Sequence, residues 1–331
     1  METIYLVTGA SGHLGSTLVS KLKEEKNRIR ALVLPGEEKY VDNDVEICIG
    51  NLTDPESLEK FFDLSADQEA ILFHCAGIVT VSSKQSPIVY KVNVEGTENI
   101  LKQALKHKIK KMVYVSSVHA MDRKPEGIIS EPEAFYPDRI DDQYGRSKAM
   151  ASNLCLEYAK KGLDVSMVLP SAIYGPGDLR RNNPSVRSVY MMYRFKVPVS
   201  VEGGFDFVDV RDVAQGMIDC ARKGRKGECY IVSGHHLESI ELMNGINEIC
   251  SRKLIRHSVP YGMVKIAIPA LEKMLGLFTD KPIITRNSLS ILNTNGHFSH
   301  DKATAEFGYS PRETKETLKD MIEEFERNKQ G

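Results

Sequence analysis

Two periods of apolar residues alternate through the first half of the chain. Thr3–Thr8 is a short β-rich run, and Leu14, Leu18, Val19 and Leu22 then recur at helical spacing. Arg28–Leu34 and Val45–Gly50 predict a second and a third strand. A helix is predicted to open at Thr53-Asp54-Pro55-Glu56, with Thr53 as N-cap, Pro55 in the first turn and Glu56 completing a capping box. Ala70–Cys75 reads as the fourth strand, about Pro87–His107 as a helix, and Lys111–Ser116 as the fifth strand. Ser147–Lys161 is predicted helical and Asp164–Leu169 is the sixth strand. Strand and helix alternating in this way predict an α/β fold around a parallel sheet.

After Pro170 the rhythm changes. Tyr174-Gly175-Pro176-Gly177-Asp178 to Pro184 is rich in turn formers and basic residues, as a loop over a site would be. Phe207–Val210 and a helix over Arg211–Arg222 read as a return to the sheet, and Glu228–Val232 as one more strand. From His235 the pattern is helical with few strands: Leu237–Cys250, Met263–Leu277 and Pro311–Asn328. The expected organisation is a sheet domain over 1–170, rejoined by 205–233, with a smaller, mainly helical lobe from 171–204 and 234–331. The run Lys265-Ile266-Ala267-Ile268-Pro269-Ala270-Leu271 through Leu277 is amphipathic and reads as packing within that lobe. A dimer or membrane-surface contact is the sharper alternative.

Composition narrows the function classes. Lys plus Arg (44) nearly balance Asp plus Glu (45), so a formal net charge of -1 offers no field for nucleic acid. The local group Lys106, Lys108, Lys110 and Lys111 reads as the solvated end of a helix. Six cysteines, Cys48, Cys75, Cys155, Cys220, Cys229 and Cys250, form no CxxC pair and no Cys/His cluster of zinc spacing. They are expected to be reduced thiols with no metal. The apolar stretch around Met263–Phe278 is broken by Lys265, Pro269, Glu272 and Lys273, which does not suit a bilayer span. The N-terminus runs straight into a strand pattern, so a cytoplasmic location is expected.

Two motifs carry chemistry. Thr8-Gly9-Ala10-Ser11-Gly12-His13-Leu14-Gly15 follows the first strand and opens the first helix. The phosphates of a dinucleotide need backbone N–H groups at a helix N-terminus, where unpaired donors and the helix dipole favour anions. A Cβ at Gly9 or Gly12 would hold the backbone away, and Gly15 lets the helix pack closely on the sheet. The second motif is Tyr144-Gly145-Arg146-Ser147-Lys148. Residues four apart share a helix face, so the Tyr144 phenol and Lys148 ammonium can enter one site. A neighbouring ammonium is expected to lower the phenol's pKa from near 10 toward the working range. Ser116-Ser117 ends the fifth strand, where open α/β sheets place ligand-binding residues.

The Thr-Gly-x-x-Gly-x-x-Gly spacing and the YxxxK pair resemble the short-chain dehydrogenase/reductase superfamily. The length and the C-terminal lobe resemble its extended branch, the NAD-dependent epimerase/dehydratase group, nearest to dihydroflavonol-reductase-like enzymes. Further matching segments are His74-Cys75-Ala76-Gly77, Pro170-Ser171-Ala172-Ile173-Tyr174-Gly175-Pro176, Phe207-Val208-Asp209-Val210-Arg211-Asp212-Val213 and Phe307-Gly308-Tyr309-Ser310-Pro311. The resemblance implies a Rossmann-type, doubly wound parallel sheet with a substrate lobe. It makes Ser117 the catalytic serine, with Ser116 as fallback, beside Tyr144 and Lys148, and it places Asn93 near the site. Asn93 otherwise reads as a helix-interior amide bonded to backbone. Beyond residues 9 to 15 of the glycine loop, the cofactor contacts it implies are Leu34, Asn51, Leu52, Cys75, Ala76, Gly77, Pro170 and Ile173, with Tyr144 and Lys148. His74 as a metal ligand is the weaker reading of that strand end.

Cofactor choice between NADP(H) and NAD(H) stays open on the sequence. Leu34 stands where NADPH-dependent relatives carry arginine; Glu37 could serve NAD, and Arg30 or Lys39 could serve NADP. Asn51 replaces the family's usual aspartate near the adenine, and its amide oxygen could accept from the adenine amino group. Arg180, Arg181 and Arg187 could clamp a diphosphate or be solvated. Val199, Val201 and Phe205 make an apolar substrate mouth. The leading expectation is reversible reduction of a carbonyl compound, a small-molecule substrate. The alternatives are a sugar-nucleotide epimerase with tightly bound NAD, and a cofactor-sensing protein without catalysis. Val118 and His119 stand where dehydratases carry an acidic pair, which argues against dehydration.

Overall fold

The computed structural model of the chain describes residues 1–123, 126–178, 180, 182–275 and 285–328. Six strands alternate with helices in the first half: β1 (Glu2–Thr8), β2 (Arg28–Val33), β3 (Glu46–Ile49), β4 (Gln68–His74), β5 (Lys111–Val115) and β6 (Val165–Pro170). Later come β7 (Ala172–Tyr174), β8 (Ser200–Val201), β9 (Gly204–Asp209), β10 (Cys229–Val232), β11 (His235–Glu238) and β12 (Ser258–Val259). The central sheet has seven strands in the order β10-β6-β5-β4-β1-β2-β3, and every pair in it is parallel. Strand order therefore reverses between β1 and β4, and the crevice beyond their carboxyl ends is where such a sheet accepts a ligand.

Apolar periodicity explains both faces. Leu18, Val19 and Leu22 of the helix His13–Glu24 pack with Val213, Ala214 and Met217 against Val7, Phe73 and Val113 of the sheet. On the opposite face Ile100, Leu101 and Ala104 join Ala149, Ala151 and Cys155 over Leu72, Met112 and Tyr114. Each buried leucine of this kind contributes roughly 1.5–3 kcal/mol. A third cluster builds the later lobe, where helices Pro184–Phe195, Ser239–Ile249 and Thr314–Arg327 bury Val189, Ile246, Met321 and Phe325 together.

The structure corrects several expectations. The segment predicted as a strand at Phe207–Val210 does not rejoin the central sheet: β9 lies between β7 and β11 in a separate three-stranded sheet. The all-apolar β10 takes the edge beside β6 instead. Buried Asp206 and Asp209 of β9 find donors in this other setting, from the amides of Gly234 and Arg211 and the hydroxyl of Thr317. The lobe is thus less purely helical than expected. Thr53 caps nothing; its hydroxyl donates to Asn51 Oδ1, and the chain makes a tight turn at Pro55–Leu58 before a single helical turn at Glu59–Phe62. Lys111 is buried and donates to Asp164, Ser166 and the carbonyl of Gly224.

Pro184–Phe195 is a helix that the turn-rich segment before it concealed. Within Tyr261–Leu275, Ile268 is buried while Met263 and Ile266 are exposed, so that helix only partly packs into the lobe. Leu277 and the end of that apolar run lie outside the described residues. All six cysteines are free. Among the described residues no helix is long and apolar enough to cross a membrane, and no group of three metal-ligating side chains occurs.

Candidate active site

The glycine loop lies at the switch point. Gly9 has φ +68°, and a Cβ there would come within 2.8 Å of the Ala76 backbone, so the turn after β1 and the strand end after β4 touch main chain to main chain. Gly15 sits against the carbonyl of Gly9 in the same turn. Gly12 is the N-cap of the following helix and supplies no side-chain cap, which leaves the first-turn amides facing the crevice without a side-chain acceptor. Ala10 is buried, and His13 is held by the Pro176 carbonyl and Asn183. Burial lowers the pKa of His13, so it stands neutral.

A relay of hydrogen bonds ties this end of the sheet to Asn93. The Ala76 amide donates to Thr8 Oγ1 (3.2 Å), and Thr8 Oγ1 lies 2.7 Å from His74 Nδ1. His74 Nε2 lies 3.0 Å from Thr97 Oγ1, whose own proton goes to the Asn93 carbonyl at 2.7 Å. Thr97 must then accept from Nε2–H, which makes His74 Nδ1 the acceptor from Thr8. Burial pushes the His74 pKa down to about 3. His74 is a neutral tie, with both nitrogens occupied by hydroxyls.

Asn93 sits in a π-helical stretch, Lys91–Gly96, inside the helix expected to be continuous. Such stretches gather at functional sites because they rotate one side chain out of the helical register. The buried Asn93 amide accepts from the Ile78 N–H (2.7 Å) and donates to the Ile78 carbonyl and Ser147 Oγ (both 3.0 Å). A Cβ on Gly77 would lie 3.2 Å from Asn93 Oδ1 and 3.4 Å from Lys148 Nζ, so these three residues share one corner.

The helix Gln143–Lys160 carries Tyr144 and Lys148. Asp142 caps it through the Gly145 amide (2.7 Å), and at Gly145 a Cβ would lie 2.4 Å from the His119 carbonyl. The absent side chain lets the helix start abut the turn after β5. In that turn Ser117 Oγ accepts from the His119 amide at 3.1 Å, and its nearness to the Tyr144 phenol favours the ionised phenol. Ser116 faces away: Ser152 donates to the Lys148 carbonyl (2.8 Å), so the Ser116 proton goes to Ser152 Oγ (2.6 Å). Of the two hydroxyls, Ser117 is the one on the Tyr144 side.

The electrostatics differ from expectation. Tyr144 is half-buried, and burial pushes its pKa up to about 12 against the opposing pull of the Ser117 hydrogen bond, with the Asp142 charge adding to the rise. Lys148 is buried and its pKa falls to about 8; its Nζ donates to the Val115 carbonyl (2.8 Å) and contacts the Tyr114 hydroxyl (3.4 Å). The ammonium is spent on β5 and does not pull the phenol down. Tyr144 consequently carries its proton at neutral pH.

The remaining expected contacts divide. Leu34 is exposed at the end of β2; Cys75, Ala76 and Gly77 follow β4, and Pro170 and Ile173 lie at the end of β6 and in β7. Leu52 is buried, packed on Gly96. The Asn51 amide oxygen already accepts from the Thr53 amide and hydroxyl, so it is not free for an adenine amino group. Arg30 is buried in bonds to Glu46 and the carbonyls of Phe61 and Asp63, which removes it as a phosphate ligand. Glu37 instead reaches the glycine loop, accepting from Ser11 Oγ at 2.6 Å, and Arg180 pairs with it at 3.1 Å while lying over the Tyr40 ring. Arg181 lies outside the described residues. Val199 is exposed and Phe205 is buried against His119 and Phe298.

Residues 5–233 match the family model described as the NAD-dependent epimerase/dehydratase family. The chain is 28% identical to sterol demethylase protein B of Methylococcus capsulatus over 97% of both chains. It is 26% identical to a Synechocystis protein provisionally named dihydroflavonol 4-reductase, covering 98% of this chain and 95% of that one. The solved structure of gox2253 superposes with a TM-score of 0.84 at 29% identity, over 98% of each chain.

Proposed function

As a member of the NAD-dependent epimerase/dehydratase family, the chain is a nicotinamide-dependent oxidoreductase of the extended short-chain type, and we propose that it reduces a carbonyl compound reversibly through Ser117, Tyr144 and Lys148. The crevice suits a dinucleotide: the cradle at Gly9 and Gly15 admits no side chain, and the helix that follows starts without a side-chain cap. Gly9 to Gly15, with Cys75, Ala76 and Gly77, would hold the phosphates and ribose, while Lys148, Pro170 and Ile173 would flank the nicotinamide. When bound, that group supplies or takes the hydride.

The observation that carries the reading is that one helix, Gln143–Lys160, brings Tyr144 and Lys148 to the end of β5 where Ser117 lies. Burial keeps Tyr144 protonated at neutral pH, and that proton would go to the oxygen of the carbonyl under reduction. Ser117, next to that phenol, would orient the same oxygen. Lys148 keeps a positive charge at the base of the site at neutral pH, where it would bond the nicotinamide ribose. Asn93 acts through Ser147 and the Ile78 backbone as a positioning residue. Glu37, leaning on Ser11, supports NAD(H) over NADP(H), because a carboxylate accepts from ribose hydroxyls and repels a 2′-phosphate.

The test is nicotinamide absorbance with purified protein, NADH and NADPH separately, against a panel of ketones and aldehydes. Steady oxidation of added NADH is expected. Isomerisation of a sugar nucleotide without net use of added cofactor would identify the epimerase instead.

A further inference from the structure

Past Tyr136 the large apolar side chains left exposed among the described residues are Phe195, Val199, Leu254, Met263 and Ile266. They belong to three adjoining segments. Residues 194–199 leave the helix Pro184–Phe195 and enter β8, residues 252–257 lead into β12, and the helix Tyr261–Leu275 follows β12. Arg252 ties the first two together, donating from Nη1 to the Tyr193 carbonyl at 2.7 Å, and β8 then pairs in parallel with β12 at Ser200 and Ser258. The Tyr261 amide donates to Glu202 Oε2 at 3.3 Å, which fixes the helix start at the end of β8. On that helix Met263, Ile266, Ala267 and Ala270 recur at the spacing of one face. All four are exposed, Ile266 by 84% and Met263 by 64%, while Ile268 is buried on the other side. The stripe that a helix ordinarily turns to the core here faces water.

The same segments carry Arg194, Lys196, Arg252, Lys253, Arg256 and Lys265, with no Asp or Glu across 194–199, 252–257 and 261–267. Elsewhere in the later half cations meet carboxylates, as Arg211 meets Asp320 and Arg312 meets Asp212. Six positive charges thus surround exposed apolar side chains in a chain whose formal net charge is -1. That combination complements an anionic bilayer, where apolar side chains enter the acyl boundary and cations meet the lipid phosphates. A second copy of the chain fits worse, because an isologous contact would set the basic patch against itself. We infer that this face is a docking surface for an anionic lipid bilayer, with the helix Tyr261–Leu275 lying in the plane of the interface. No helix among the described residues is long and apolar enough to cross a membrane, so the attachment is peripheral.

Vesicle sedimentation tests this without reading turnover, so its outcome is separate from that of the reductase reading. The unaltered protein is mixed with vesicles of phosphatidylcholine alone or with about 30 mol% phosphatidylglycerol. Binding to the anionic vesicles is expected to be at least about ten-fold stronger, and to fall at least about ten-fold when salt rises from about 0.1 M to about 0.5 M. Ile266→Asp should weaken it at least about ten-fold, and Lys253→Glu combined with Lys265→Glu about a hundred-fold. Each variant should keep its NADH affinity within about two-fold, because the patch lies outside the dinucleotide cradle. Equal sedimentation with neutral and anionic vesicles, or none with either, overturns the inference, as does binding that survives both sets of substitutions. A concentration-dependent dimer in analytical ultracentrifugation that Ile266→Asp dissolves assigns the face to a second copy and overturns it too. Should Ile266→Asp fail to fold, the charge-reversed variant still decides.

Discussion

On the dinucleotide side of the cleft His74, Asn93, Ser116 and Lys148 each hand their protons to a neighbour within the chain, at distances of 2.6–3.0 Å. On the substrate side His119 Nδ1 has no partner and Arg123 has one hydroxyl. The first wall is a closed hydrogen-bond network; the second holds polar groups that this network leaves out. A common scaffold can thus carry one fixed chemistry while substrate choice resides outside the network. Tyr144 stands on the boundary, near Ser117 on one side and facing the His119 ring on the other.

The finished wall should break hardest where backbone touches backbone. Gly9→Ala forces a side chain into a left-handed turn and to within 2.8 Å of Ala76. It should destabilise the fold by about 2 kcal/mol or more and weaken NADH binding by about a hundred-fold, read by urea titration and calorimetry. If NADH binds unchanged, the cradle is misassigned.

Acid should attack the same wall through His74. Its folded pKa is about 3 against an ordinary 6.5, so its contribution to stability is present above pH 6.5 and is lost as pH falls. Between pH 6.5 and 5 the loss is at most about 2 kcal/mol for this residue. Melting temperature should therefore fall across that window, and His74→Gln should flatten the slope.

Smaller effects sharpen the contrast. Glu37→Gln should shift the NADH-to-NADPH preference about ten-fold toward NADPH in steady-state kinetics, since it removes one negative charge beside Ser11. Ser116→Ala should lower stability by about 1 kcal/mol and leave kcat within about two-fold. Ser117→Ala should show the reverse pattern, with kcat falling and stability nearly kept. Equal behaviour of the two variants would erase the distinction drawn between their hydroxyls.

The finished wall was also the legible one. β-rich apolar runs and period-3.6 patterning located all seven strands of the central sheet, because burial on both faces leaves little choice of residue, and glycines marked the places where a Cβ could not fit. The YxxxK spacing placed Tyr144 and Lys148 on one helix, and the proposal favours Ser117 because Ser152 takes up Ser116. Other features depend on contacts far apart in the chain. Lys111 looked solvated because Asp164 and Ser166 lie beside it only after β5 and β6 pair. Asn51 looked free because its oxygen is spent in a local turn that imitates a helix start. The π-helical stretch at Asn93 has no sequence signature of its own. His119 entered only as an argument against dehydration, because its contact with the Tyr144 ring forms between residues far apart in the chain.

The most direct measurement compares Tyr144→Phe with the unaltered protein in two readouts, turnover of NADH with an accepted ketone and equilibrium binding of NADH. The account predicts a loss of about 10²–10⁴ in kcat with NADH affinity within about two-fold, because the phenol proton is removed while the dinucleotide cradle is untouched. Full turnover by Tyr144→Phe would contradict it.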